Sequence, residues 1–304
     1  MPGRRGTAVA TALLLAALAA AGCGLGPGAD VGSVDLSVTR DYGSRRMLER
    51  SVAVNESDTV MRVLEGSADI TTRYGGGFVG SIDGLAEDQR GGRPYDWFFY
   101  VDGVESPVGA ADYDLKGGER IWWDYRDWSA TNHVPAVVGS WPAPFSDGYE
   151  GHRHPVAVEC RGGGGACEAV RQALEAAGAT VSAGEPSDAI RVLVGPWSRL
   201  RSDPAAAQLE AGPAESGVFA RFEPTAGSYR LEGLDEGGDP ARRFGLDAGL
   251  VAATRRFESP PVWVVTGATA AAVRAAAELL EAAKLRDHYA VATEAGRETP
   301  LPLR

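Results

Sequence analysis

The fold is decided by two aromatic stretches, YDWFFYVDG at residues 95–103 and RIWWDY at residues 120–125. Both are rich in the residues that favour β-strands, and the first ends in an Asp-Gly turn. Successive side chains of a strand face opposite sides, so Trp97 shares a face with Phe99 while Phe98 takes the other face. One face is predicted to fill a core. The other is expected to leave aromatics exposed for a ligand or partner, with core packing of both faces as the alternative.

The residues before these strands complete one domain. Residues 34–39 alternate apolar and polar side chains, residues 48–54 can pair with them as a hairpin, and residues 59–65 have the pattern of a short helix. A hairpin, one helix and then further strands are the order of a β-grasp-like domain, predicted here over residues 34–128.

A second domain is predicted after a Pro-rich linker at residues 129–154. Strands alternate with helices over residues 155–293, which indicates an α/β sandwich, with a ferredoxin-like order as one option. This region includes one long alanine-rich helix at residues 270–285, and residues 294–304 are predicted to form a tail. The predicted fold class is therefore α+β, with a β-grasp-like domain followed by an α/β domain.

The N-terminus has the pattern of a lipoprotein signal peptide, predicted at residues 1–22. An uncharged apolar run at residues 8–21 ends in small residues directly before Cys23. The pattern predicts that Cys23 carries a lipid, that residues 23–33 form a tether, and that the protein is held on the membrane facing outside the cytoplasm. Plain secretion is one alternative. A transmembrane anchor is disfavoured because the apolar run is shorter than ~20 residues.

Three cysteines are present, and assigning Cys23 to the lipid leaves Cys160 and Cys167. An even remainder in an oxidising compartment favours one disulfide, and the glycine-rich loop between the two residues lets them meet. Two free thiols are the alternative.

The composition indicates an acidic globular protein. The net charge is −11, which argues against nucleic acid as a partner because phosphates require Lys and Arg. Lys116 and Lys284 are the only lysines among many Arg, Ala and Gly residues. This bias fits a GC-rich, actinobacterial type of source.

No catalytic or metal-binding set stands out in the sequence. It contains no Gly-x-Ser-x-Gly motif and no phosphate-binding loop. His152 and His154 lie in the predicted linker without a third and fourth metal ligand. We therefore expect a binding protein with no required cofactor, and an enzyme whose site lies in the C-terminal domain is the alternative.

Three sequence features occur together in residues 74–128: a glycine-aromatic segment before residues 81–84, the strand starting at Tyr95, and Gly-Gly-Glu before the last strand. In these features the chain resembles the C-terminal β-domain of transcobalamin and intrinsic factor, which bacteria carry as a domain of unknown function. The resemblance covers residues 34–128. It implies a domain that closes over one face of cobalamin, while a larger α/α-barrel supplies the other face and the cobalt-coordinating histidine.

This chain contains no such barrel, so the resemblance implies a barrel-type subunit or an uptake transporter as a partner. The candidate ligand contacts come from the resemblance and from the two aromatic strands, and they are Gly76, Gly77, Phe78, Tyr95, Trp97 and Trp122. The predicted function is a lipid-anchored, extracytoplasmic binding protein for cobalamin or a similar large ligand. The alternative is a cell-envelope interaction or structural lipoprotein without a small-molecule ligand.

Overall fold

The computed structural model describes residues 28–184 and 186–304. The predicted signal peptide at residues 1–22 and the predicted lipid site Cys23 lie outside the described residues. Among the helices that are described, none has the length and apolar character needed to cross a bilayer.

The N-terminal unit is a mixed sheet packed on one short helix. Its elements are β1 (Asp30–Arg40), β2 (Arg45–Asn55), α1 (Val60–Glu65), β3 (Ile70–Arg73), β4 (Phe78–Ile82), β5 (Leu85–Ala86), β6 (Asp88–Arg90), β7 (Arg93–Val101), β8 (Val104–Glu105) and β9 (Arg120–Asp127). The main sheet has the order β2-β1-β9-β7-β6, with β8 paired to the end of β7. β9 runs parallel to β1 and antiparallel to β7, so the two aromatic strands are neighbours.

Helix α1 covers one face of this sheet. It begins after Thr59, whose hydroxyl accepts a hydrogen bond from the Arg62 backbone N–H at 3.3 Å and so caps the helix. Its side chains Val60 and Leu64 are fully buried in the same cluster as Trp123. The apolar core predicted beneath one face of the aromatic strands is therefore present.

The C-terminal unit is built on a second six-stranded sheet. Its elements are β10 (Val156–Cys160), α2 (Gly165–Ala176), β11 (Ile190–Pro196), α3 (Trp197–Leu200), α4 (Pro213–Ser216), β12 (Ala220–Thr225), β13 (Ser228–Leu234), β14 (Pro240–Arg243), β15 (Gly249–Thr254), β16 (Val262–Gly267), α5 (Ala270–Ala277), α6 (Ala282–Leu285), β17 (Ala290–Glu294) and β18 (Arg297–Leu301). The sheet order is β10-β11-β16-β15-β17-β18. The first three strands are parallel and the others antiparallel, so a ferredoxin-like order is not observed. The coarser prediction of an α+β fold is confirmed.

Each face of the second sheet is buried against a different layer. Alternate residues of β16 pack on opposite faces of the sheet. Trp263 packs with helices α2 and α5, whereas Val264 lies in the core shared with the N-terminal unit. The predicted disulfide between Cys160 and Cys167 is confirmed, with a Cα–Cα distance of 5.9 Å. It ties the end of β10 to the first turn of α2.

The outer face of the aromatic strands is not exposed, and this corrects the sequence prediction. Tyr100 and Trp122 have no solvent-accessible surface. Both rings pack on Tyr289 of the C-terminal unit, with centroid distances of 5.8 and 5.3 Å. The second sheet covers this face at Tyr100 and Trp122, whereas Phe98 on the same face is only half-buried.

The segment predicted to be a linker, residues 129–154, is also part of the core. Val134 and Val137 pack with the residues between the two sheets, whereas Trp141 and Phe145 pack under Trp263. Buried side chains fix this segment in place, so it connects the units without acting as a free spacer.

Three predicted boundaries also change. Strand β1 begins at Asp30, inside the predicted tether of residues 23–33, because its first residues pair with the end of β2. The predicted tail at residues 294–304 contains β18, which pairs with β17. The long helix predicted at residues 270–285 is divided into α5 and α6.

Candidate functional site

A cleft of about 650 Å³ opens where the two units meet. The N-terminal unit contributes residues 77–79 at the start of β4, residues 96–99 of β7 and residues 105–110, which begin with the last residue of β8. The connecting segment contributes Asn132, His133 and Pro135, and the C-terminal unit contributes Arg255, Phe257 and Glu258 between β15 and β16. The size falls in the range typical of ligand sites.

The walls of this cleft carry several large apolar side chains that are exposed to solvent. Seven large apolar side chains are exposed among the described residues, and four of them line this cleft: Phe78 at 54 %, Val108 at 45 %, Trp128 at 38 % and Phe257 at 87 % exposed. Single exposed apolar residues are ordinary, whereas several that converge on one concave surface indicate a binding site.

The rim formed by residues 131–133 is fixed by a buried arginine. Arg126 projects from β9 and donates through Nη1 to the Thr131 carbonyl at 2.8 Å and through Nη2 to the Asn132 carbonyl at 3.3 Å. Its guanidinium lies 3.7 Å from the centroid of the Phe98 ring. These contacts hold the Asn132 and His133 side of the cleft against the sheet.

A strand edge is open inside the cleft. Strand β6 pairs with β7 only up to Tyr95, and β8 pairs with β7 only from Tyr100, so no described strand pairs with residues 96–99 on that side. The Trp97 backbone N–H donates to the Asp96 carboxylate at 2.7 Å. Burial raises the pKa of Asp96, against the lowering effect of this hydrogen bond.

The polar end of the cleft is rich in acceptors. His133 is paired through Nδ1 with the Glu105 carboxylate, and the hydrogen bond to Glu105 raises the pKa of His133. Asp96 and Glu258 add two further carboxyl groups to the lining. Among the described residues, no group of three or more His, Cys, Asp or Glu side chains is placed to hold a metal ion.

Arg255, the cation from the C-terminal wall, already has partners. It donates to the Glu150 carboxylate at 2.8 Å and to the Ser259 carbonyl at 2.7 Å. The carboxyl groups of Asp96, Glu105 and Glu258 therefore give the lining three hydrogen-bond acceptor groups.

The structure brings together half of the predicted ligand contacts. Gly77, Phe78 and Trp97 line the cleft. Gly76 lies next to it in the β3–β4 turn. Tyr95 instead stacks on Tyr125, with ring centroids 5.7 Å apart.

Trp122 is not a ligand contact, contrary to the prediction. It is fully buried between the two sheets, and its indole N–H donates to the Thr39 hydroxyl at 2.8 Å. A ligand cannot reach it, because its face of the strand is covered by the C-terminal unit.

Sequence reasoning missed Val108, His133 and Phe257 as members of the site. Phe257 lies 179 positions after Phe78 in the numbering, and no local pattern connects them. One signal was available: Phe257 is a single aromatic residue in the polar stretch RRFES of residues 255–259, where no core is expected.

One known family model matches part of the N-terminal unit. Residues 57–127 match the model of a family described as "Domain of unknown function (DUF4430)". The resemblance of this region to a bacterial domain of unknown function is thus confirmed. The match covers under a quarter of the chain, and no curated protein matches the sequence.

Two solved structures are similar to part of the chain. The crystal structure of haptocorrin in complex with Cbi shares 20 % identity with a TM-score of 0.27, covering 32 % of this chain and 25 % of haptocorrin. A proposed metal-binding protein from Ruminococcus gnavus shares 14 % identity with a TM-score of 0.25, covering 32 % of this chain and 97 % of that one. This chain therefore spans about a quarter of the length of haptocorrin. At these scores neither similarity supports an inference about ligands.

Proposed function

We propose that this protein is a non-catalytic binding protein that captures a large ligand in the aromatic cleft. The observation that carries the proposal is the convergence of Phe78, Val108, Trp128 and Phe257, from separate parts of the chain, on one concave surface. Exposed apolar side chains are costly to keep in water, and a ligand that covers them gains ~25 cal/mol per Å² of buried apolar area.

The lining favours a ligand with apolar faces and hydrogen-bond donors at its edge. Phe78 and Trp128 supply apolar walls, while Asp96, Glu105 and Glu258 supply acceptors. Cobalamin is the leading candidate, because a corrin ring carries amide groups around an apolar macrocycle and because the sequence resembles a cobalamin-binding β-domain. We also propose that the N-terminal unit, a mixed sheet packed on one helix, is a variant of the β-grasp fold.

Cobalamin is larger than the drug-sized ligands that a cleft of this volume encloses. The cleft would cover one part of the molecule and leave another exposed. A barrel-type subunit or an uptake transporter is therefore proposed as the partner that covers or receives the remainder.

We also propose that the mature protein is anchored outside the cytoplasm by lipid on Cys23, after removal of the signal peptide at residues 1–22. Mass spectrometry of the mature N-terminus tests this directly. A lipid adduct on Cys23 is expected. An unmodified N-terminus at any other residue would contradict the anchor.

Titration calorimetry with cyanocobalamin tests the ligand on purified residues 24–304, alone and with a candidate barrel partner. Phe78→Ser should weaken the affinity about tenfold, since burying a Phe side chain contributes ~1.5–3 kcal/mol. Met47→Ser is the matched control, because Met47 is an exposed apolar residue outside the cleft. Absence of heat in both arrangements, or equal effects of the two variants, would reject cobalamin at this site.

The open edge of β7 favours one second candidate, an interaction protein of the cell envelope. Residues 96–99 have no partner strand on the side away from β9, and there they could accept an extended peptide as an added strand, with its side chains in the aromatic cleft. Crosslinking in intact cells distinguishes the two functions. A protein crosslinked through the cleft, with no cyanocobalamin binding, would favour the interaction protein.

A further inference from the structure

We propose that Phe257 is a ligand-binding residue, and that the loop at residues 255–261 of the C-terminal unit forms the second wall of the site. The ligand class that this wall selects is a planar apolar ring system. The inference rests on the proposed function and extends it, because it names the class of ligand that the wall from the C-terminal unit selects.

The first support is the position of the Phe257 ring. It is the most exposed large apolar side chain among the described residues, and it lines the same cleft as Phe78 and Trp128. The guanidinium of the neighbouring Arg256 lies 5.8 Å from the centroid of the Phe257 ring. An aromatic ring so placed contributes little to the packing of the unit that carries it.

The second support is the backbone of Phe257, which has a φ of 51°. This left-handed conformation is unfavourable for a bulky side chain, and glycine or asparagine usually occupies it. A turn that served only to join β15 to β16 would be more stable with glycine here. The strained backbone is retained here together with an exposed aromatic ring, and this combination points to a role for the ring in binding.

The third support is that Arg255 fixes the start of the loop through a salt bridge and hydrogen bonds. The Arg255 side chain is only 9 % exposed, with ion-pair and hydrogen-bond partners in Glu150 and Ser259. Its guanidinium also lies 5.5 Å from the centroid of the Tyr149 ring. These contacts hold the loop in place two residues before Phe257, so the ring is presented at a fixed position and the ligand need not order the loop.

A neutral fluorescent probe, N-phenylnaphthylamine, tests this wall without relying on cobalamin. The wild-type chain of residues 24–304 is compared with Phe257→Ala and Phe257→Gly. Both variants remove the ring, so both should raise the Kd for the probe about tenfold. Only glycine also relieves the left-handed backbone, so Phe257→Gly should have a Tm about 2–4 °C above that of Phe257→Ala.

Ala295→Gly is the matched control. Ala295 also has a left-handed φ of 51°, but it lies in the β17–β18 turn and does not line the cleft. It should leave the Kd for the probe unchanged, whereas Phe78→Ser should raise it as the Phe257 variants do.

The outcomes separate the two proposals. The wall is rejected if wild type does not bind the probe, or if either Phe257 variant keeps the wild-type Kd. Probe binding that depends on Phe257, without any binding of cyanocobalamin, supports the wall and rejects cobalamin as the ligand.

Discussion

Replacing Asp124 by Asn is expected to remove a pH dependence that is built into the contact between the two units. Asp124 is fully buried on β9. Its carboxylate accepts hydrogen bonds from the Thr39 hydroxyl at 2.6 Å, the Gly43 N–H at 3.0 Å and the Tyr289 hydroxyl at 3.0 Å. Tyr289 belongs to the C-terminal unit, so this carboxyl group joins the two sheets.

The magnitude follows from the pKa of Asp124. Burial raises this pKa from 3.8 to about 6, although the hydrogen bonds act in the opposite direction. The folded protein therefore binds the proton more tightly than the unfolded chain, and this contribution to stability is complete below about pH 4. It is lost as the pH rises through about 6. At ~1.4 kcal/mol per pH unit, the loss is about 3 kcal/mol.

Urea unfolding of wild type and Asp124→Asn at about pH 4 and about pH 7 measures this contribution. An amide does not titrate, so the stability of the variant relative to wild type should rise by about 2.5 kcal/mol between the two conditions, most of the full loss. Any change in hydrogen bonding with Tyr289 adds an offset that does not depend on pH and cancels in the comparison. A difference that stays constant within about 1 kcal/mol would refute the reasoning.

Three further predictions concern the interface and the cleft. Trp122→Ala should lower the free energy of unfolding by about 3–5 kcal/mol, because it empties a buried site between the sheets, and chemical denaturation measures the loss. Gly43→Ala should also destabilise the protein, by about 2 kcal/mol or more, since φ is +76° and a Cβ atom would lie 1.7 Å from the Asp287 carbonyl oxygen; an unchanged Tm would contradict this. Glu105→Gln should lower the pKa of His133, followed by NMR titration of the imidazole. In wild type, the stabilising pair with protonated His133 is complete below about pH 6.5 and fades as the pH rises through the raised pKa.

Much of the N-terminal unit follows from local sequence. Alternation in the aromatic strands predicts which residues share a face, and the structure keeps that division, with Trp123 under helix α1 and Trp122 on the opposite side. The disulfide follows from cysteine count and the short glycine-rich loop between Cys160 and Cys167. These features depend on residues close together in the chain, so periodicity and loop length are sufficient to predict them.

The candidate site follows from the sequence only in part. Gly77, Phe78 and Trp97 were predicted from the resemblance to a known β-domain, and they line the cleft. Phe257 lies outside the region that resembles the known β-domain. It lines the cleft because packing of the two units brings its loop there. Trp122 was wrongly predicted to contact the ligand. A large aromatic residue on an outer strand face has the same local pattern whether a ligand or another sheet covers it.

Local sequence patterns predict an α+β protein with two aromatic strands, each of which divides its side chains between two faces. Periodicity is a local property, so it specifies the faces without specifying what covers them. The tertiary structure alone decided that the second sheet buries the face carrying Tyr100 and Trp122, and that the cleft forms at the edge of this contact. The physical reason is that burial depends on which distant surfaces exclude water together, and that is settled only when the whole chain packs.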